Sequence, residues 1–271
     1  MRCAVLGDPI AHSLSPVLHR AGYAATGLDW AYDAVRVPEA EFIGFVQGLD
    51  AGWRGLSLTM PLKRKALELG GSVTARAALT GAANTLVLED GVVVVADNTD
   101  LPGAAAAVRE RYDGPVRAAT VLGGGATAAS TGLAMVELGA TSVRLLVRTP
   151  DRAAEAAAAI AAHPSGPAVE VGSLVDGAVS GDVVVSTVPA EAQDADLVAR
   201  CAAVPVVFEV IYDPWPTPLA SGAAGRVLVS GLDLLVHQAV LQFELFTGLP
   251  GPLDAMRAAG EEALAARRAT G

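Results

Sequence analysis

Three polar clusters in the first hundred residues have the residue types needed to move a proton at a carbonyl. The segment Ser57-Leu58-Thr59-Met60-Pro61-Leu62-Lys63 closes a short apolar run. Gly81-Ala82-Ala83-Asn84-Thr85 opens another, and Asp97-Asn98-Thr99-Asp100 ends a third. Singly, each has an ordinary reading: a lone lysine is a solvated charge, and Asn and Asp form turns. Together, at strand ends, they match ketone reduction, which needs a proton donor within about 3 Å of the forming alkoxide. Lys63 is a candidate donor, and a carboxylate such as Asp100 would fix and polarise it. Upstream lies Pro9-Ile10-Ala11-His12-Ser13-Leu14-Ser15-Pro16. Ser13 and Ser15 there would bring two hydroxyls and neighbouring amides to a helix start, where a carboxylate binds well. Capping by Ser15 ahead of Pro16 explains the same residues without a ligand.

A reductant site has its own signature. Gly123-Gly124-Gly125-Ala126-Thr127-Ala128 fits G-x-G-x-x-A, directly after an apolar run and opening an alanine-rich helix. The glycines permit a tight turn and let the backbone approach a pyrophosphate, which the helix N-terminus stabilises. Such turns also occur without a nucleotide. The next strand of an NAD site ends, about 20 positions on, in an acid that bonds the ribose 2′-hydroxyl. Here it ends in Arg148-Thr149-Pro150-Asp151-Arg152. Two guanidiniums and a hydroxyl suit a 2′-phosphate, which guanidinium forks grip in bidentate fashion. NADP(H) is therefore expected in preference to NAD, the alternative being a solvated helix start.

These residues need elements to position them. Cys3 to Leu6, Ala31 to Val37 and Gly55 to Leu58 read as strands, and Pro16 to Thr26 and Glu39 to Leu49 as helices. Pro61 is expected in the first turn of the following helix. Leu86 to Leu88 and Val92 to Ala96 flank Glu89-Asp90-Gly91, a hairpin signal. A helix from Ala104 to Tyr112 leads into a second unit. There, strands at Ala118 to Leu122, Val143 to Val147, Val183 to Ser186, Val206 to Val210 and Val227 to Val229 alternate with helices such as Asp151 to Ala162. That alternation predicts an α/β fold with a doubly wound parallel sheet. The tail from Leu234 onward reads as helical and is expected to return to the first domain. The division expected is 1–103 with 235–271 as a substrate-binding and catalytic domain, and 104–234 as a Rossmann-type NADP-binding domain.

Composition narrows the partners. Hydrophobic residues are 52% of the 271, with aromatics only 4%, and an Ala- and Val-rich core suits close layers of helix on parallel sheet. A formal net charge of -10 argues against a nucleic-acid partner, but an acidic protein can hold a locally positive pocket. Cys3 and Cys201 form neither a metal-spaced cluster nor a disulfide framework. No metal is expected, and a reducing cytoplasm fits. No apolar run approaches the roughly 20 residues of a membrane span.

The order of the motifs resembles the shikimate/quinate dehydrogenase family from end to end. Gly7 to His19 reads G-x-P-I-x-H-S-x-S-P-x-x-H, Thr59 to Lys63 T-x-P-x-K, Gly81 to Thr85 G-A-x-N-T, and Asn98 to Gly103 N-T-D-x-x-G. Tyr212 to Leu219 resembles the family's Y-x-P-x-x-T-x-L, and Gly231 to Ala239 its G-x-x-x-L-x-x-Q-A. The resemblance implies NADP-dependent reduction of 3-dehydroshikimate, with Lys63 and Asp100 as the catalytic pair. It places Ser13 and Ser15, with Tyr212, on the substrate carboxylate, and Thr59, Asn84 and Gln238 on ring hydroxyls. It places Gly123, Gly124, Gly125, Ala126 and Thr127 on the pyrophosphate, Arg148, Thr149 and Arg152 on the 2′-phosphate, and Thr187, Val188 and Gly231 along the rest of the cofactor. A cytoplasmic monomer or homodimer with a small-molecule substrate is implied. Arg20, Ser57 and Val147 stand where the family often has Asn, Glu209 where Asp is usual, and Asp233 where Met is common. None is in the catalytic pair. Rival readings are a quinate/shikimate or aminoshikimate-type dehydrogenase, and a non-catalytic NADP-binding sensor that kept the fold. A quinate enzyme would be expected to prefer NAD, against which the two arginines argue.

Overall fold

Short β-branched runs become strands and the segments between them become helices. The computed structural model describes residues 1–270, and its contacts separate two units: Met1–Thr99 with Leu235 onward, and Asp100–Leu234. In the first unit, β1 (Arg2–Gly7) is followed by α1 (Ser15–Thr26), which ends at Gly27 in the left-handed region, φ 70°. Then come β2 (Ala31–Arg36), α2 (Phe42–Gln47) and β3 (Trp53–Leu58). β4 (Ser72–Val73) leads to α3 (Ala75–Thr80), whose first turn is capped by the Thr74 hydroxyl accepting from Ala77 N–H. β5 (Thr85–Glu89) and β6 (Val92–Asp97) form the hairpin. Its turn residues Asp90 and Gly91 both have positive φ, 50° and 79°, as the tight two-residue turn between twisted strands requires. The strands form one mixed sheet in the order β2-β1-β3-β5-β6-β4, parallel from β2 to β3 and antiparallel across β3-β5-β6.

Pro61 does not open a helix. Thr59 N–H donates to Leu6 O at 2.9 Å and Asp8 N–H to Met60 O at 3.0 Å, so the chain past β3 stays laced to the end of β1. Leu62 N–H then closes a tight turn on Thr59 O at 2.9 Å, and a short 3-10 helix follows only at Lys65–Leu69.

The second unit begins with α4 (Asp100–Arg111), four residues earlier than the sequence suggests. Pro102 lies in its first turn, where a missing N–H has no helical partner to lose. There follow β7 (Ala118–Leu122), α5 (Ala126–Glu137), β8 (Ser142–Val147), α6 (Ala154–Ala161) and β9 (Ala168–Ser173). β10 (Val183–Ser186), α7 (Ala195–Arg200), β11 (Val206–Glu209), α8 (Pro218–Ser221) and β12 (Val227–Val229) complete it. All neighbours are parallel, in the order β12-β11-β10-β7-β8-β9. The order reverses between β7 and β10, which makes this a doubly wound sheet with its ligand crevice expected at those two C-terminal ends.

α9 (Gly231–Thr247) carries the chain back into the first unit, and α10 (Leu253–Thr270) packs on α1. Gly55 on β3 lets α9 lie close, since a Cβ there would sit 2.2 Å from the Phe246 ring. Tyr23, Tyr32, Phe243 and Phe246 are all buried in this layer.

Candidate functional site

The C-terminal ends of β1, β3 and β6 meet the start of β5. Leu58 N–H donates to Asn84 O at 2.7 Å and Asn84 N–H to Asp97 O at 3.0 Å. Gly7 must lack a side chain here, because a Cβ would lie 2.3 Å from Thr59 Cγ2. Lys63 is half-buried, and its carbonyl accepts Ala83 N–H at 2.8 Å, which ties the lysine's backbone to the residue before Asn84. Ser13 is half-buried and Ser15 buried. Ser15 is the first residue of α1 and not its cap; Leu14 holds the cap position and no side chain caps that turn. The Ser13 hydroxyl accepts Ser15 N–H at 3.3 Å.

Asn84 is the hub of a buried network. Its Oδ1 accepts from the Thr85 hydroxyl and from Thr99 N–H, both at 2.8 Å. Its Nδ2 donates to Thr99 Oγ1 at 3.0 Å and to Gln238 Oε1 at 3.3 Å. Asn98 donates to Thr80 Oγ1 and Ala82 O, and its N–H to Asp97 Oδ1 at 2.7 Å. Asp97 accepts further from Thr74 Oγ1 at 2.6 Å and from the Arg76 guanidinium. Burial pushes the Asp97 carboxyl up, but the Arg76 and Thr74 bonds outweigh it and hold it below the usual carboxylate range. Residues 97–99 are therefore fixed, and the chain passes from them into Asp100, the buried first residue of α4.

Beneath this hub, Tyr32 OH donates to Ser57 Oγ at 2.5 Å, Ser57 to Gln242 Oε1 at 2.7 Å, and Gln242 Nε2 to Thr85 Oγ1 at 3.0 Å. Sequence reasoning missed Tyr32, Thr99 and Gln242 as members of the site. For Gln242 a signal existed: it follows Gln238 by four residues and shares its face of α9.

In the second unit, Gly123 has φ 118°, and a Cβ on it would lie 2.1 Å from Thr187 Oγ1. Thr187 donates its hydroxyl and its N–H to Leu122 O, each at 2.9 Å, so the ends of β7 and β10 are laced together. Gly124 lies against Arg152 O and Ala153 Cα, where a Cβ would approach to 2.9 Å. Gly125 differs: a Cβ would meet nothing within 4 Å, and no side chain caps α5. Ala126 and Thr127, half-buried, open that helix, whose first turn carries no acid and no side-chain cap. This cradle fits a pyrophosphate. Arg148, Thr149 and Arg152 are exposed beside it, and neither guanidinium is paired with a carboxylate among the described residues. They fit a phosphate.

Val188 is buried, and its carbonyl accepts Gln193 Nε2 at 3.3 Å. Gly231 has a packing reason of its own, since a Cβ would lie 2.2 Å from Val210 O. Tyr212 is half-buried in the loop after β11. Asp233 is buried, with Arg111 donating to Oδ1 at 2.7 Å and Ser230 to Oδ2 at 2.8 Å. Among the described residues no group of His, Cys, Asp and Glu is placed to hold a metal ion, and no helix is long and apolar enough to cross a membrane.

Comparison with known proteins decides the family. The model of the shikimate dehydrogenase substrate binding domain matches residues 5–86, and that of the shikimate 5'-dehydrogenase C-terminal domain residues 231–259. Shikimate dehydrogenase (NADP(+)) of Methanothrix thermoacetophila is 38% identical over 272 residues, covering 96% of this chain and 97% of that protein. The chain belongs to the shikimate dehydrogenase family. Among solved shikimate dehydrogenases, that of Mycobacterium tuberculosis is 43% identical with a TM-score of 0.86, over 97% of this chain and 99% of the other. That of Thermus thermophilus, solved in complex with NADP(H) and shikimate, is 29% identical with a TM-score of 0.82, over 97% and 99%.

Proposed function

We propose that the chain catalyses the reversible NADPH-dependent reduction of 3-dehydroshikimate to shikimate, with Lys63 and Asp100 as its acid–base pair. The observation that carries this reading is the convergence of three motif segments on the Asn84 hub, with Lys63 tied to it through Ala83. When bound, the reduced nicotinamide supplies the hydride. Lys63 Nζ gives a proton to the developing alkoxide oxygen, and in the reverse direction takes it from the hydroxyl. Asp100 keeps Lys63 oriented and accepts a bond from the adjacent ring hydroxyl. Ser13 and Ser15, with Tyr212, hold the substrate carboxylate, while Thr59, Asn84 and Gln238 bond ring hydroxyls.

The cofactor reading rests on chemistry at hand. Gly124, Gly125, Ala126 and Thr127 present backbone N–H groups to the pyrophosphate, and Gly123, whose own N–H donates to Leu146 O at 2.9 Å, makes the turn that admits it. Arg148, Thr149 and Arg152 take the 2′-phosphate, and Thr187, Val188 and Gly231 complete the site. The reading includes a catalytic N-terminal domain, a Rossmann-type NADP domain, and action on a small molecule in the cytoplasm, for which the free, buried Cys3 and Cys201 are suited.

Lys63→Ala tests the assignment. Shikimate oxidation by NADP should lose about 10²–10⁴ in kcat, the usual worth of a positioned acid–base group. The dissociation constant for NADP, measured by fluorescence titration, should stay within about twofold of wild type, because the interaction removed is made only at the reacting oxygen. Equal losses in kcat and NADP affinity would remove Lys63 from the acid–base role.

A further inference from the structure

One carboxylate pinches a loop of the second unit across its base. Glu209, at the end of β11, is fully buried and pairs with no cation among the described residues. Its Oε1 accepts Ile211 N–H at 3.0 Å and its Oε2 accepts Thr217 Oγ1 at 2.8 Å. Those two partners bound the segment that carries Tyr212. Oε2 also accepts Gln193 Nε2 at 2.7 Å, and the same amide nitrogen reaches Ser186 Oγ at 3.1 Å and Val188 O at 3.3 Å. Gln193 Oε1 in turn accepts Leu219 N–H at 3.0 Å. Ser186 and Glu209 are register partners on adjacent parallel strands, so the cluster sits at the C-terminal edge of the sheet, where such folds bind ligands.

A buried carboxylate without a cation is costly, and apolar residues of similar volume would pack the same place at lower cost. Burial pushes the Glu209 carboxyl up, against the bonds from Ile211, Thr217 and Gln193. What an apolar residue would lack is the three-way tie between Gln193, Ile211 and Thr217.

We infer that Glu209, acting with Gln193 and Thr217, is a positioning residue that fixes the Tyr212 loop and thereby sets affinity for the carboxylate-bearing substrate. The inference rests on the reading of Tyr212 as a substrate contact. In Glu209→Gln the new amide turns a donor toward either Ile211 N–H or Thr217 and Gln193, so one side of the pinch opens.

The test combines steady-state kinetics with amide hydrogen exchange on wild type, Glu209→Gln, Thr217→Val, Thr217→Ser and Val207→Ala. Val207 is buried in the same core and serves as a packing control. Glu209→Gln and Thr217→Val should raise KM for shikimate roughly ten- to a hundredfold, the worth of a hydrogen bond to a charged group. Their kcat should change less than about threefold, since neither variant touches the reacting groups, and KM for NADP should move far less than KM for shikimate, because Gln193 keeps its bonds to Ser186 and Val188. Exchange at Ile211, Tyr212 and Asp213 should quicken in both. Thr217→Ser, which keeps the hydroxyl, should restore wild-type values. Val207→Ala should lower Tm without moving KM for shikimate. Unchanged KM and unchanged exchange in Glu209→Gln would overturn the inference. So would a fall in kcat with equal rises in both KM values beside a lower Tm, the signature of general loosening. A wild-type enzyme inert toward shikimate would instead sink the substrate reading, while the exchange data still decide whether Glu209 holds the loop.

Discussion

Asn84 has two donors and two lone pairs on its amide, and Thr85, Thr99 and Gln238 already engage all of them. A ring hydroxyl arriving at Asn84 must displace one of these bonds. The 3.3 Å contact to Gln238 is the weakest by distance, so Gln238 is the partner expected to turn away and take a hydroxyl of its own. His19 offers a different test. It is fully buried and stacks on Tyr32 with ring centroids 4.1 Å apart. Burial, with no hydrogen-bond partner on either ring nitrogen among the described residues, lowers its pKa from 6.5 to about 3. The folded-state value lies below the unfolded one, so the stability from a neutral His19 is complete above pH 6.5 and is lost as pH falls toward 3. Between pH 7 and pH 5 that loss is about 2 kcal/mol. Urea unfolding should therefore show wild type weakening over this window, and His19→Phe weakening less by that amount. Parallel pH dependences in the two proteins would contradict the assignment.

α9 brings Gln238 and Gln242 to the hub, and its distance from the sheet is set by Gly55. With a Cβ at 2.2 Å from the Phe246 ring, Gly55→Ala should destabilise the fold by about 1–3 kcal/mol through overpacking and push α9 outward. Thermal unfolding should show a lower Tm, and Phe246→Leu in the same chain should recover part of it. A wild-type Tm for Gly55→Ala would mean the ring yields freely. Elements with a strong apolar or turn signal are legible in the amino-acid sequence itself. β1, β3, β7, β8, β10 and β11 are short β-branched or aliphatic runs with largely buried side chains, and Asp90-Gly91 marks its own hairpin. β9 carries no such signal, because it is an edge strand whose residues are mostly exposed, leaving no apolar run. α3, α7 and α8 are only four to six residues long, too short for a helical period to register. Pro61 and Pro102 mislead in opposite directions. One sits in a turn held by strand-end bonds, and the other lies inside a helix that starts ahead of it.

At the scale of the whole chain, the acidic net charge of -10 and the two anionic ligands proposed for it are reconciled locally. Exposed Arg148 and Arg152 stand beside a glycine turn whose helix N-terminus carries no acid. The motif residues are legible because chemistry confines them to strand ends, and the reversal of strand order between β7 and β10 puts the glycine turn at a ligand crevice. The support beneath them is not legible. Tyr32 and Thr99 reach the hub only through pairings between distant segments, which no local pattern records, and Gln242 leaves only its four-residue spacing from Gln238. The most direct measurement is the initial rate of cofactor reduction with NADP and with NAD, each offered shikimate and quinate. A strong rate is predicted for shikimate with NADP and at least about tenfold less in each other pairing, the worth of a charge-assisted phosphate contact or of one unpaired polar group. Comparable rates with NAD or with quinate, or no rate in any of the four, would contradict it.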